Sequence, residues 1–341
     1  MAFACVLFIA FLSAETRPKL EWTKNGQKVT SSLTTDNIWR ADKRTADFNY
    51  TEYGVTTSGN EIRQKLLNNH PSGNPTSGSR VYLLNENDLQ YEMFNLNGNE
   101  FTFDVDTSQI PCGLAGTLFT VEMARNGTGG GGTTGAEYGC GYCDAQFLGA
   151  TDEDGHQGVG CAEFDFWEAN RYSTLVTAHA CSTTGQLGGS NGKGSCDSNG
   201  CGYNTYWDNK NFYGPGSSYT IDTTKKFTVT TQFVTSGGSL TEIRRKYIQN
   251  GKSFDSPGAL DAKRCNNNDY PLSKMGQSFE KGHVIVFALW DSDSGLAWLD
   301  SGSAGPCTDS ESASYVESHY SDATIIFSNI RFGPIDSTTS S

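Results

Sequence analysis

Residues 161–170, CAEFDFWEAN, concentrate three acids, Glu163, Asp165 and Glu168, among aromatic residues suited to a strand. Acids inside an apolar strand need a reason. On a regular strand Glu163 and Asp165 project to one face, and strict alternation sends Glu168 to the other unless a bulge adds one residue between them. With the bulge, the two glutamates stand four strand steps apart, about 13 Å between Cα atoms, and each carboxyl reaches about 4 Å toward the other. The roughly 5 Å that remains matches the separation at which paired carboxyl groups cleave a glycosidic bond by double displacement. It is too narrow for the water that an inverting pair must hold. Phe164, Phe166 and Trp167 require the opposite face to be buried, which holds the acids rigidly. Three crowded carboxylates cannot all ionise freely, so one keeps a proton near neutral pH, as a general acid must. The plainer alternative is a solvated strand face that happens to carry three acids.

Such acids need a stiff scaffold, and the composition says which kind. Gly supplies 39 of 341 residues and Pro only 9, while much of the polarity is Ser, Thr and Asn, which favours strands and turns over helices. Strand candidates are residues 80–84, 117–123, 226–234, 244–249, 283–290 and 323–332. Within residues 91–106, Asn97-Gly98 separates two alternating runs, the signature of a hairpin. In residues 226–234, Phe227, Val229, Thr231 and Phe233 share one face, whereas Thr228, Thr230 and Gln232 share a wet face able to line a cleft. Residues 271–282 alone read as a helix of any length, with Leu272, Met275 and Phe279 at helical spacing before a Gly. The Gly-rich stretches 127–135 and 185–202 read as loops inside one domain, and no internal repeat is found. The fold class is therefore all-β, two packed antiparallel sheets.

Residues 1–14, MAFACVLFIAFLSA, have the length and apolarity of a signal peptide, with Ser13 and Ala14 placed for cleavage before Glu15, although a basic leading region is lacking. A buried N-terminal strand is the alternative. No other stretch approaches the ~18 apolar residues of a membrane span, so no membrane partner is expected. Nine cysteines remain beyond Cys5, an odd number that leaves at least one thiol unpaired. Cys140 and Cys143 have CxxC spacing, but no second such pair and no spaced histidines accompany them, so disulfides in an exported protein are a better reading than redox chemistry or a zinc site; no metal and no cofactor is expected. Asn49 and Asn126 open glycosylation sequons. The net charge of −13 makes nucleic acid a poor partner.

The run E-x-D-x-x-E followed by Ala169-Asn170, then Thr177-Ala-His179-Ala-Cys181, resembles the active-site strand of glycoside hydrolase family seven, the fungal and protist cellulases. Residues 53–60, 101–106, 141–144, 212–216 and 326–333 agree with it, in the right order and over nearly the whole chain after residue 14. The resemblance implies a concanavalin-like jelly roll whose concave sheet forms an open cleft for a glucan chain. It implies Glu163 as nucleophile, Asp165 as the residue that orients and tunes it, Glu168 as acid/base, and His179 beside the leaving-group sugar. Tyr142, Asp144 and Gln146 match sugar-contacting positions. Trp39, Trp290 and Trp298 match stacking platforms, which suits the apolar faces of glucose rings. Arg40 and Arg80 match positions near the cleft. The implied disulfides are Cys143–Cys161, Cys112–Cys307, Cys181–Cys196 and Cys201–Cys265, leaving Cys140 free.

Two departures stand out. The cysteine-rich stretch that normally follows Trp39-Arg40 is absent, which implies an altered glycone end. Phe147 and Gly160 stand where the family carries a bridged cysteine pair. The segments between Cys181 and Cys196 and between Trp298 and Cys307 are short, and residues 239–247 resemble the endo version of that strand. An endo-β-1,4-glucanase is therefore expected, a monomer acting on cellulose and soluble β-1,4-glucan, with residues 15–341 as one catalytic domain and no cellulose-binding module. The rivals are a cellobiohydrolase of the same family, a β-1,3/1,4-glucanase with the same acidic strand, and a non-catalytic lectin, which would have lost an acid or gained a calcium site.

Overall fold

Runs in which large apolar side chains alternate with Thr, Gln and acids make long strands, and the computed structural model describes residues 15–40, 48–69, 75–129, 135–147, 158–188, 195–308 and 311–339. Two antiparallel sheets pack face to face as a jelly-roll sandwich. The cleft sheet runs from the end of strand Gln27–Thr35 through Ser79–Leu83, His283–Asp291, Leu114–Val121, Glu163–Ala169 and Thr174–His179 to Cys201–Asn204. The back sheet runs through Val55–Ser58, Glu61–Lys65, Thr324–Pro334, Asn99–Asp106, Phe227–Ser236 and Ser239–Gln249 to the short strands Lys252–Asp255 and Leu260–Asp261. Strand Gln27–Thr35 starts against Lys19–Lys24 beside the back sheet and ends in the cleft sheet, joining the layers.

Aromatic side chains fill the space between the sheets. Phe101 stacks on Phe166 at 4.6 Å, Phe103 meets Trp167 edge-on at 6.0 Å, and Phe164 meets Phe233 at 5.1 Å. Burying each such ring contributes about 1.5–3 kcal/mol, so slipping strand Glu163–Ala169 by one residue, which would turn its rings outward, is prohibitive.

The helix over residues 271–282 is observed as Leu272–Lys281, with Leu272, Met275 and Phe279 buried and Gly282 past its end at φ 88°. A seven-residue helix, Ala313–His319, was not expected; it is too short to show a periodic stripe. The hairpin reading of residues 91–106 is corrected. Met93–Phe94 pairs with His283 and Val284 in the cleft sheet, while Asn99–Asp106 pairs in the back sheet. The Asn97-Gly98 turn, closed by the Asn99 N–H donating to the Leu96 carbonyl at 3.0 Å, carries the chain from one sheet to the other. A turn motif fixes a local reversal, not which strands then pair. The wet-face reading of residues 226–234 is corrected too: Thr230 and Gln232 are buried on the back sheet and line no cleft.

The four disulfides have the pairing that the family resemblance implies, and Cys140 is buried and belongs to none of them. The signal-peptide segment, residues 1–14, and the altered stretch after Arg40, residues 41–47, lie outside the described residues. Among the described residues no helix is long and apolar enough to cross a membrane.

Candidate active site

The bulge required by the acidic strand is present. Against Thr174–His179, Asp165 pairs with Thr177 and Glu168 with Leu175, so three residues are spanned on one strand against two on its neighbour. Against Leu114–Val121, Asp165 pairs with Phe119 and Trp167 with Leu118, which makes Phe166 the extra residue. Phe166 and Trp167 therefore both enter the core, and Glu163, Asp165 and Glu168 all face the cleft. On the neighbouring strand Glu163 lies opposite His179 and Glu168 opposite Leu175, four residues along. That ladder distance is about 13 Å.

Burial dominates the electrostatics. It pushes the Glu163 and Glu168 carboxyls well above the usual carboxylate range and Asp165 up to about 8; the mutual repulsion of the acids, with Asp144 among them, pushes the same way. Hydrogen bonds oppose the shift at each acid, at Asp165 the one it shares with Glu163. The Ala145 backbone N–H donates to Glu163 Oε2 at 3.0 Å and favours its anion, and the Thr177 hydroxyl donates to Glu168 Oε2 at 3.4 Å. His179 Nδ1 lies 2.7 Å from the Asp197 carbonyl oxygen, which can only accept, so Nδ1 carries a proton. Its Nε2 is 3.1 Å from Asp165 Oδ2, and one proton must occupy that contact, carried by the imidazolium or by the Asp165 carboxyl.

Around these groups lies a cleft of about 550 Å³, lined by Trp39, Arg80, Tyr142, Asp144, Gln146, Trp290 and Trp298 as well as the acids and His179. Arg80 braces one end: its guanidinium bonds Asp36 Oδ2 at 2.8 Å and sits over the rings of Tyr142 at 3.4 Å and Trp39 at 5.6 Å. At the other end Trp290 and Trp298 stack at 6.4 Å, and Trp298 remains 48 % exposed on the rim. Arg40 is the correction. Its side chain is buried, bonds Glu15 Oε1 at 2.9 Å and Thr34 Oγ1 at 3.0 Å, lies over the Phe48 ring, and does not line the cleft. Its carboxylate partner, Glu15, lies 25 residues away along the chain, a pairing that the sequence does not reveal.

Disulfide Cys143–Cys161 fastens the segment carrying Tyr142, Asp144, Ala145 and Gln146 to the start of the acidic strand. Where the family's further disulfide is missing, the Phe147 ring occupies the space that a side chain on Gly160 would fill, only 2.1 Å from the position of a Cβ. A large–small pair replaces the bridge. Thr117, Phe119, Leu175, Thr177, Ser198 and Asn199 also line the cleft and were missed. Thr177 and Leu175 were within reach, since they alternate with His179 at period two. Ser198 and Asn199 were hidden in the Gly-rich stretch, where Gly200, at φ 68°, lets the loop approach the His179 ring so closely that any Cβ would lie 2.6 Å from it. The one grouping with metal-ligand spacing among the described residues, Cys112, Asp300 and Cys307, has its sulfurs in a disulfide and Asp300 accepting from the Gly113 N–H and Asn170 Nδ2.

Comparison with known proteins places this geometry among relatives. The profile of glycosyl hydrolase family 7 matches residues 23–270 and 258–339. The chain is 41 % identical to endoglucanase EG-1 of Hypocrea jecorina over 310 residues, covering 86 % of this chain and 65 % of that protein, so it spans just under two thirds of that relative's length. A solved endoglucanase I in complex with cellobiose superposes with a TM-score of 0.86 at 33 % identity, covering 96 % of this chain and 99 % of the other. A cellobiohydrolase from Daphnia pulex superposes with a TM-score of 0.84 at 28 % identity, covering 96 % and 99 %.

Proposed function

The chain belongs to glycosyl hydrolase family 7, and from that premise we propose that it is a retaining endo-β-1,4-glucanase with Glu163 as nucleophile and Glu168 as acid/base. The observation that carries this reading is the bulge at Phe166, which sets the two glutamates on one face four ladder steps apart. In the first step the Glu163 carboxylate, oriented by the Ala145 N–H, attacks the anomeric carbon while Glu168 gives its proton to the departing glycosidic oxygen. The second step reverses the roles: Glu168 takes a proton from water, and the water oxygen displaces Glu163 from the sugar. Burial, with the neighbouring Asp165 adding to it, pushes the Glu168 carboxyl well above the usual carboxylate range, which suits the proton donor of the first step. Asp165, sharing a proton with His179, holds Glu163 in line without adding a second free negative charge beside it.

Tryptophan platforms at both ends suit a glucan, because glucose rings offer apolar faces to flat rings. The chain between Trp298 and Cys307 is closed by a bridge between Ser301 and Cys307 and leaves Trp298 half exposed, which favours an open cleft and internal cutting. The endoglucanase relatives support the same choice; the cellobiohydrolase neighbour keeps the exo reading as the alternative. Four disulfides suit an oxidising compartment, consistent with export. The test is hydrolysis of carboxymethyl-cellulose. Internal cutting drops viscosity rapidly relative to the reducing ends released; a slow drop with cellobiose dominating the products would select the exo reading.

A further inference from the structure

Phe166 is the one residue of strand Glu163–Ala169 without a register partner on either neighbouring strand. A bulge leaves the extra residue's backbone groups outside the ladder, and a buried carbonyl must find a donor elsewhere. The donor here comes from the other sheet. Arg245, in the middle of strand Ser239–Gln249, points into the sandwich between Ile243 and Tyr247, and its Nη2 donates to the Phe166 carbonyl oxygen. The guanidinium lies 5.7 Å from the Trp167 ring and 6.0 Å from the Tyr247 ring, and Nη1 reaches the Tyr247 hydroxyl at 3.5 Å.

Arg245 is 5 % exposed, and among the described residues it forms no ion pair with a carboxylate. A charge buried against one carbonyl and two aromatic faces is a costly way to fill a core, since an aliphatic side chain would pack the same space without desolvating a cation. Two of its contacts go to the bulge, one to the extra residue and another to the ring that follows it. If that carbonyl lost its donor, the two buried rings would keep the bulge, but its backbone could shift toward another partner, and a displacement of even about 1 Å would take the Glu168 carboxyl out of line with the bond it must protonate.

We propose that Arg245 is a positioning residue for Glu168, pinning the backbone of the bulge from the opposite sheet so that the acid/base stays in line with the nucleophile. This rests on the reading of Glu168 as acid/base, and the experiment separates the two. The full-length protein is compared with Arg245→Met, Arg245→Lys and Glu168→Ala on two aryl β-cellobiosides: 2,4-dinitrophenyl, which departs without protonation, and phenyl, which needs it. The ratio of their kcat/KM values reports the acid alone, because that parameter stops at the first displacement.

Glu168→Ala should lower kcat/KM on the phenyl substrate by about 10² to 10⁴-fold and leave the dinitrophenyl substrate nearly untouched. Arg245→Met should reproduce that signature at roughly 10 to 100-fold, with Lys restoring part of the loss because it keeps one charged donor. If Glu168→Ala lacks the signature, the acid/base reading fails. If Glu168→Ala shows it while Arg245→Met is unchanged on both substrates, or loses equally on both, the positioning role is overturned. Should Arg245→Met not fold, Arg245→Gln, too short to reach Phe166, takes its place with the same expectations; failure of both to fold makes Arg245 a residue of stability and also overturns the proposal.

Discussion

Buried acids sit on both sheets of this sandwich, Glu100 on the back sheet and Glu163 and Asp165 with Glu168 on the cleft sheet, and their surroundings differ. On the back sheet the Glu100 carboxylate accepts three hydrogen bonds, from the Thr338 N–H and hydroxyl at 2.7 Å each and from Gln232 Nε2 at 2.7 Å. Gln232 is itself held by Arg244 Nε at 2.9 Å. On the cleft sheet Glu163 has one backbone donor, Glu168 one distant hydroxyl, and Asp165 the His179 ring and a hydrogen bond shared with Glu163, itself an acid. A buried carboxylate with a full set of donors is a fastening, here of the segment after strand Thr324–Pro334 onto the sheet. Buried carboxylates with few donors and like charges around them are poised to exchange protons.

The sharpest way to break this contrast is Glu163→Gln. It should lower kcat by at least about 10³-fold while leaving the melting temperature unchanged or higher, because it removes one member of a repelling cluster. A variant that keeps near-native activity would remove Glu163 from the role of nucleophile. Glu100→Ala should do the reverse. Orphaning three buried donors costs about 2–4 kcal/mol of stability, read by denaturant unfolding, while activity per folded molecule stays within about two-fold. A loss of activity without a loss of stability would show that the back-sheet acid is more than a fastening.

The smallest expected effect concerns pH. The three cleft acids hold their protons more tightly in the folded chain than in the unfolded one, so the folded state binds the extra protons between the two sets of values. The stability they contribute is fully present below the ordinary carboxylate range and is lost as pH rises through the folded values, which for Asp165 is about 8. The melting temperature should therefore be lower at pH 8 than at pH 5, and Asp165→Asn should flatten that slope. A slope unchanged in Asp165→Asn would mean that the cleft acids do not set it.

Much of the cleft could be read along the chain. The doublet Phe166-Trp167 breaks alternation in a strand that must bury both rings, and that break announces the bulge that brings Glu168 beside Glu163. Trp39, Arg80, Tyr142, Asp144, Gln146, His179, Trp290 and Trp298 were named from motifs and do line one cleft. The errors share a cause. Gln232 was given to the cleft because its strand alternates, but its Nε2 donates to Glu100 and Asp336, each more than a hundred residues away. Arg40 adjoins a cleft tryptophan in sequence, but its side chain turns to Glu15 and Tyr50.

The sequence by itself determined what strand periodicity and residue chemistry can encode: strands with one dry face, three acids raised onto the other, and the break in alternation that aligns them. Only the tertiary structure decided which buried polar group meets which. Arg245 reaching the Phe166 carbonyl and Thr338 reaching Glu100 are contacts between segments brought together by sheet packing. A side chain's hydrogen-bond partner is set by distance in space, and a window along the chain carries no measure of that distance.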